Sequence, residues 1–502
     1  MKNYRITKVL SPQKVIECII ILGMLTFLIE NASVQSFWSD EMSTIGYIRE
    51  GTSFIEMIRG YMIDDAVNLP LYPAILYFIY RIVPCGEVYL LIPSILFTIF
   101  AIIIIGRIGY VCGGESTQLA SICIGSISIW LICRGAWDIR CYSLLVLLSA
   151  ATIYFYIKRL QKESYQNILK YGVSMLFLFY THWFGALMMI SFALVDLYLY
   201  LTKKIKLKCI ISYLVAGGLF IPWCICMVLT TTRNLTGNNS DSLPPKLGNI
   251  KDTLCYLSGG RMLCLIILVA GILIVICKHC RKNDSRNIDI PFILLITCAW
   301  VITVVYIYCA YINPKGSFYE NKYFFVLIPQ TIVVMAYGLT QFRQIFTGKR
   351  VLRISVDIVL LMMYFIIMHK NYKFCYEFAQ ELRMPYRQCA EYLTDTKDIY
   401  QKDTLVISAE TSNLTHAWYD YYFIKRGKEI PKNTLVFNKN RDIDTLKTWN
   451  VKYEQNILNE YNEIIVFSLS FSPPEQFEEF MNQYYVMVEE AYNGSIKKYK
   501  LK

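Results

Sequence analysis

Apolar runs close to the length of a membrane crossing recur through the first three quarters of the chain and then stop. They fall at about 15–30, 90–111, 117–134, 141–158, 168–181, 184–201, 209–229, 262–277, 291–310, 323–341 and 353–369. A helix rises about 1.5 Å per residue and pairs its own backbone groups, so ~20 apolar residues cross the ~30 Å hydrocarbon core. The pattern predicts eleven spanning helices. A further apolar stretch, Leu71 to Val83, is bounded by Pro70 and Pro84. As a helix it reaches only about 20 Å, so it is expected to be a juxtamembrane or re-entrant piece of the first long loop, about 31–89. Long ordered loops are usually functional.

Beyond about residue 370 the pattern becomes mixed and polar. Thr404–Ser408, Thr434–Phe437 and Glu463–Leu469 read as short strands, and Pro474–Gln483 as a helix. Tyr485–Tyr499 reads as a hairpin turning at Asn493-Gly494. The expected architecture is an α-helical polytopic membrane domain over 1–372, with about 11 spans plus juxtamembrane helices. A small C-terminal α/β domain over 373–502 completes it.

Composition agrees. The 502 residues are 55% hydrophobic and 18% charged, against roughly 25% charged in soluble domains. The net charge of +12 would suit a nucleic-acid binder, but the cations occupy alternate short loops. Lys158, Arg159, Lys162 and Lys170 form one group, and Lys203, Lys204, Lys206 and Lys208 the next. Lys278, Arg281, Lys282 and Arg286 follow, then Arg343, Lys349, Arg350 and Arg353. With Lys2, Arg5, Lys8 and Lys14 they share one side if the spans number eleven, and the positive-inside rule makes that side cytoplasmic. The expected protein is a multi-pass cell-membrane protein with a cytoplasmic N-terminus, an extracytoplasmic tail and no nucleic-acid partner. Val15–Ile29 also suits a leader's apolar region, but Asn31-Ala32-Ser33 is a poor cleavage site, so it is taken as an uncleaved first span. The 17 Cys lie mostly within apolar runs and show no zinc spacing, which argues for neither a metal site nor a disulfide framework. Asp442-Ile443-Asp444 lacks a Gly-rich phosphate loop and reads as a solvated turn.

Candidate chemistry gathers on the outer side. The first loop opens with Phe37-Trp38-Ser39-Asp40-Glu41, adjacent carboxylates beside the bilayer. Acidic groups there are costly unless used, although an acidic helix start capped by Ser39 explains them equally well. Asp64-Asp65-Ala66-Val67-Asn68-Leu69-Pro70-Leu71-Tyr72 follows in the same loop, with Pro70 suited to a first helical turn. Trp137-Asp138-Ile139-Arg140-Cys141-Tyr142 fills a second outer loop, where an Arg runs against the charge bias. Tyr180-Thr181-His182-Trp183 and Asn321-Lys322-Tyr323 edge two more. Each has a bland reading: an interfacial anchor for Arg140, a structural His182, a snorkelling Lys322. Together they put carboxylates and cations on one membrane face. A cation binds a lipid phosphate, and a carboxylate takes a proton from an attacking hydroxyl.

In that order and sidedness the motifs resemble glycosyltransferase family 39 and its bacterial relatives, the polyprenyl-phosphate-sugar transferases of the C-type glycosyltransferase (GT-C) fold. Trp38-Ser39-Asp40-Glu41 resembles the family's Asp-Glu motif, and Asn68-Leu69-Pro70-Leu71-Tyr72 its His-Pro-Pro-Leu-Tyr motif. Asp138-Ile139-Arg140-Cys141-Tyr142-Ser143-Leu144 is similar to its Glu-Ala-Arg-x-Tyr-x-Leu stretch. Tyr180-Thr181-His182 and Asn321-Lys322-Tyr323 resemble later motifs, with Lys322 standing for the usual Arg and Asn68 for the usual His. The resemblance implies an inverting enzyme that moves one sugar from a polyprenyl-phosphate donor to a lipid, glycan or protein hydroxyl outside the membrane. Asp40 and Glu41 are then catalytic. Arg140, Lys322, Tyr142 and His182 hold the donor phosphate and lipid, and Asp64, Asp65, Asn68 and Tyr72 form a substrate loop. No cofactor is implied, and a divalent metal is left open. A flippase for lipid-linked sugars and an oligosaccharide ligase or polymerase are the alternatives.

Overall fold

The structure, a computed structural model, describes residues 11–49, 51–64, 69–234, 243–281, 288–346, 348, 350–381, 384–395, 397–409, 412–431, 433–436, 447–448, 460–469 and 475–502. By contacts the chain forms two compact units. The first comprises Met1–Asn31, Ile58–Tyr72 and Leu91–Glu377; the second comprises Ala32–Met57, Pro73–Leu90 and Phe378–Lys502. The division is therefore not a single cut near residue 372. Two stretches of the first long loop pack with the tail.

The helices preceding the first unit's main bundle are α1 (Pro12–Glu30), α2 (Ser39–Ile48), α3 (Phe54–Asp64) and α4 (Leu71–Ile82). The bundle continues through α5 (Glu87–Ser126), α6 (Tyr142–Gln161), α7 (Tyr165–Phe179), α8 (Trp183–Leu201) and α9 (Leu207–Asn234). It is completed by α10 (Leu247–Leu257), α11 (Met262–Cys280), α12 (Ile290–Ile307), α13 (Ile328–Gln344) and α14 (Arg350–Glu381). The predicted spans fall on helices, except that the third is interrupted at Ile127-Ser128, and among the described residues nine helices are long and apolar enough to cross a bilayer. The two counts differ for two reasons. α5, with 40 residues, runs through the second predicted span and into the third as far as Ser126, and bends at Gly113 and Gly114, where Gly114 takes φ +75°. α7 has only 15 residues, about 22 Å. α4, at 12 residues, is as short as expected.

Without a hydrophobic drive between helices in lipid, close packing of small residues holds them together. α11 and α13 show this directly: a Cβ on Gly338 would lie 2.4 Å from the Gly271 Cα. Charge is buried as well. Arg159 and Asp196 are both fully buried and meet at 2.6 Å. Tyr156 and Tyr213 donate to the same carboxylate at 3.1 and 2.8 Å. This corrects the expectation that Arg159 is a loop cation; Asp196, near the end of α8, is accommodated by partners instead of water. Asp357, by contrast, is half exposed beside Arg343.

In the second unit the tail adds α15 (Tyr386–Asp395), α16 (Ser412–Tyr422) and α17 (Glu475–Tyr484) to six strands. These are β1 (Thr404–Ser408), β2 (Thr434–Val436), β3 (Lys447–Thr448), β4 (Glu463–Phe467), β5 (Tyr485–Ala491) and β6 (Ile496–Leu501). Their order is β3-β2-β1-β4-β6-β5. The first four run parallel, and β6 turns antiparallel to β4. β1 and β4 are buried along their whole length, as parallel strands covered on both faces must be. The hairpin turns where predicted, with Asn493 and Gly494 at φ 54° and 83°. Asp442, Ile443 and Asp444 lie outside the described residues.

Loop and tail join in this unit through buried polar groups. Tyr422 donates to Glu87 at 2.8 Å, and Arg387 lies 3.3 Å from the same carboxylate. Tyr80 donates to Asp420 at 2.6 Å. The helix α16 packs on α2, so the segment carrying Asp40 and Glu41 rests on the tail.

Candidate functional site

The carboxylate pair divides its labour by position on α2. Trp38, not Ser39, is the N-cap, with extended backbone. Glu41 is fully buried and its carboxylate accepts the Trp38 N–H at 3.0 Å, the return bond of a capping box. Asp40, one residue earlier, is half-buried in the first turn, where the helix dipole favours a carboxylate. The capping explanation thus holds for Glu41, while Asp40 takes the helix-dipole position of the first turn. Both belong to the second unit.

In the first unit three separated motifs are tied together. The Leu71 N–H donates to the Tyr180 carbonyl at 3.1 Å. Tyr72 Oη lies 2.6 Å from Ser94 Oγ, which donates to the Asp138 carbonyl at 2.8 Å. A π-helical turn, Leu131–Ala136, leads into this stretch; such turns often mark functional positions. Asp138 is fully buried and sits 3.6 Å from Arg134. Arg140 follows, half-buried.

The fourth motif arrives on a 3-10 turn, Asn321–Leu327, that packs against α6 and α8. Lys322 there pairs with Glu320 at 2.8 Å. The positive charges of Arg140 and Lys322 both bear on His182, whose ring centroid is 6.2 Å from Tyr142 and 5.5 Å from Tyr323. Burial, reinforced by these two cations, pushes the His182 imidazole down to about 3. Its Nδ1 accepts the Phe184 N–H at 3.2 Å and caps α8, so the proton of the neutral ring sits on Nε2. Burial likewise pushes the Cys141 thiol up to about 11, against the pull of Arg140 and Lys322. The result is an aromatic-walled cluster with two cations and a neutral imidazole donor, suited to an anion with an apolar tail.

The imidazole state is checkable. A depressed pKa favours the neutral ring in the folded protein, so that stabilisation is full above about 6.5 and is lost as pH falls toward 3. With four histidines in the chain, nitrogen NMR of labelled protein, assigned by His182→Gln, should show a neutral Nε2–H ring at pH 5. A protonated ring at pH 5 would contradict the cluster's electrostatics.

Of the other predicted residues, Asp64 ends α3, while Asp65 and Asn68 lie outside the described residues. Ser94, Glu320 and Tyr323 were not singled out as site residues. Ser94 lies inside an apolar run, where one hydroxyl carries no pattern; Glu320 and Tyr323 adjoin Lys322 and were findable by proximity. Among the described residues no group of three or more His, Cys, Asp or Glu is arranged to hold a metal ion.

These features define a multi-pass membrane protein with two cations and a buried imidazole gathered at the ends of its helices. Comparison with solved structures identifies the fold. ArnT from Cupriavidus metallidurans bound to undecaprenyl phosphate superposes with a TM-score of 0.61 at 8% identity, covering 98% of each chain. Its apo state gives 0.60 at 10% identity over 97% of this chain and 98% of that one. The Archaeoglobus fulgidus oligosaccharyltransferase in complex with Zn and sulfate gives 0.49 at 10% identity, covering 89% and 68%. No family model matches the sequence, and no curated protein matches it. The chain has the GT-C fold.

Proposed function

We propose that this protein is an inverting glycosyltransferase that moves a single sugar from a polyprenyl-phosphate donor to an acceptor hydroxyl at the outer face of the membrane. The observation that carries the reading is the gathering of Arg140, His182 and Lys322, from three separate motifs, into one aromatic-lined cluster of the first unit. The likeness in fold to a protein crystallised with undecaprenyl phosphate supports the same ligand chemistry.

In this proposal Arg140 and Lys322 stabilise the charge that grows on the departing lipid phosphate, usually the largest single catalytic term. Neutral His182 donates from Nε2, and Tyr142 walls the lipid side. Asp40 takes the proton of the acceptor hydroxyl as its oxygen bonds to the anomeric carbon and the bond to phosphate oxygen breaks. A carboxylate is a weak base toward an alcohol, so proton transfer and bond formation are concerted. Attack opposite the leaving phosphate inverts the anomeric centre, by analogy with glycosidases. Glu41 positions Asp40 by closing the first turn of α2. Asp64, Asp65, Asn68 and Tyr72 belong to the loop that borders the substrate.

The test is an assay of purified protein with labelled polyprenyl-phosphate monosaccharides and an outer-leaflet acceptor. Product glycoside with released lipid phosphate is expected. Released phosphate without glycoside would indicate hydrolysis, and vesicle translocation alone would favour a flippase. Transfer of preassembled chains alone would favour a ligase or polymerase. Arg140→Ala should lower kcat about 10²–10³-fold, the effect of removing one charge-stabilising donor, and Arg140→Lys should recover part of it. An unchanged kcat in Arg140→Ala would remove the phosphate assignment.

A further inference from the structure

The end of the bundle away from the motif cluster holds a second feature that the proposed chemistry does not use. α8, capped by His182, runs from Trp183 to Leu201 in 19 residues, about 28 Å, close to the thickness of the hydrocarbon core. Near its far end a cavity of about 590 Å³ opens between α8, α11 and α12, a volume typical of specific ligand sites. Leu194, Val195, Ile293, Ile296 and Trp300 supply an apolar wall. Leu194 and Ile296 stay 47% and 46% exposed, so the wall opens sideways toward acyl chains.

The mouth of the cavity is polar, formed by Lys204, His279 and Asp289. The carboxylate among its described lining residues, Asp289, is already engaged. Asp289 accepts the Phe292 N–H at 3.3 Å, and its other oxygen lies 3.1 Å from His279 Nδ1. The His279 ring is in turn stacked on Phe292 with centroids 3.6 Å apart. Lys204 is exposed, with Lys203 and Lys206 beside it in its loop and Lys278 and Arg281 at the C-terminal end of α11. The balance at the mouth is cationic. A laterally open apolar slot ending in excess positive charge matches a lipid with a negative headgroup, since each Lys near a bilayer surface attracts anionic lipid by about 1 kcal/mol.

We propose that this cavity binds one anionic phospholipid, its chain along Ile293, Ile296 and Trp300 and its headgroup phosphate at Lys204 and His279. The site lies in the leaflet opposite the cationic cluster. It does not depend on the proposed transfer reaction.

Purified protein in detergent would be titrated with phosphatidylglycerol or phosphatidylcholine carrying the same brominated chains, which quench tryptophan on contact. Saturable quenching is expected, at a concentration about tenfold lower for phosphatidylglycerol, the value of one charge-assisted contact. Trp300→Phe, a conservative change, should remove the saturable component. Lys204→Glu should raise the half-saturating concentration of phosphatidylglycerol about tenfold and leave that of phosphatidylcholine unchanged. Equal half-saturation for the two lipids would overturn the proposal, as would saturable quenching that persists in Trp300→Phe.

Discussion

Asp40→Asn is expected to lower turnover by about 10²–10⁴-fold, the usual contribution of a positioned general base, while donor KM and thermal stability stay near wild type. The substitution keeps the size and hydrogen-bonding capacity of the side chain and removes its basicity. The informative comparison is Glu41→Gln. Glu41 is buried and accepts the Trp38 N–H, a task glutamine performs equally in a capping box, so that variant should retain most activity. Glu41→Ala, which loses the cap, should lower stability by about 1 kcal/mol and reduce turnover only through misplacement of the helix. Steady-state kinetics with a labelled polyprenyl-phosphate sugar, beside melting curves, separate these cases. Normal turnover in Asp40→Asn, or a larger loss in Glu41→Gln than in Asp40→Asn, would reverse the assignment.

Arg159→Leu should cost about 3–5 kcal/mol of stability, the penalty for leaving a buried charge unpaired. Asp196 would keep the Tyr156 and Tyr213 hydroxyls but lose the guanidinium at 2.6 Å. Arg159 would take with it a bond to the Cys209 carbonyl at 3.1 Å and its place over the rings of Tyr156 and Tyr171. Replacing both partners, as Arg159→Leu with Asp196→Leu, should recover much of the loss because no lone charge remains. Denaturation in detergent measures both variants. The pair lies toward the end of α6 away from Tyr142, so turnover per folded molecule should be unchanged. Equal stability of Arg159→Leu and wild type would mean that the buried pair contributes nothing net.

The spans, the short α4 and the tail strands were legible because each is a property of consecutive residues. Thr404–Ser408 was bounded correctly as a strand from its β-branched and apolar run, and Asn493-Gly494 marked the turn of the closing β5–β6 hairpin because few residues adopt positive φ. The candidate site was legible only as fragments. Arg140, His182 and Lys322 were each plausible anchors, and Arg159 was read as one more loop cation. Burial separates these cases, and burial depends on neighbours remote in the chain. The same holds for Asp40 and Glu41: adjacent in sequence and chemically alike, they differ because the first turn of α2 spends one on its cap.

By itself the sequence determined that the chain is a multi-pass membrane protein with a small α/β tail, since the length and polarity of contiguous segments decide how backbone groups are satisfied in lipid. Only the tertiary structure decided that two stretches of the first loop belong with the tail, around Glu87, Arg387 and Tyr422. It alone also brought Arg140 and Lys322 to bear on one imidazole. Such groupings come from packing and charge pairing between residues hundreds of positions apart, which no local pattern encodes.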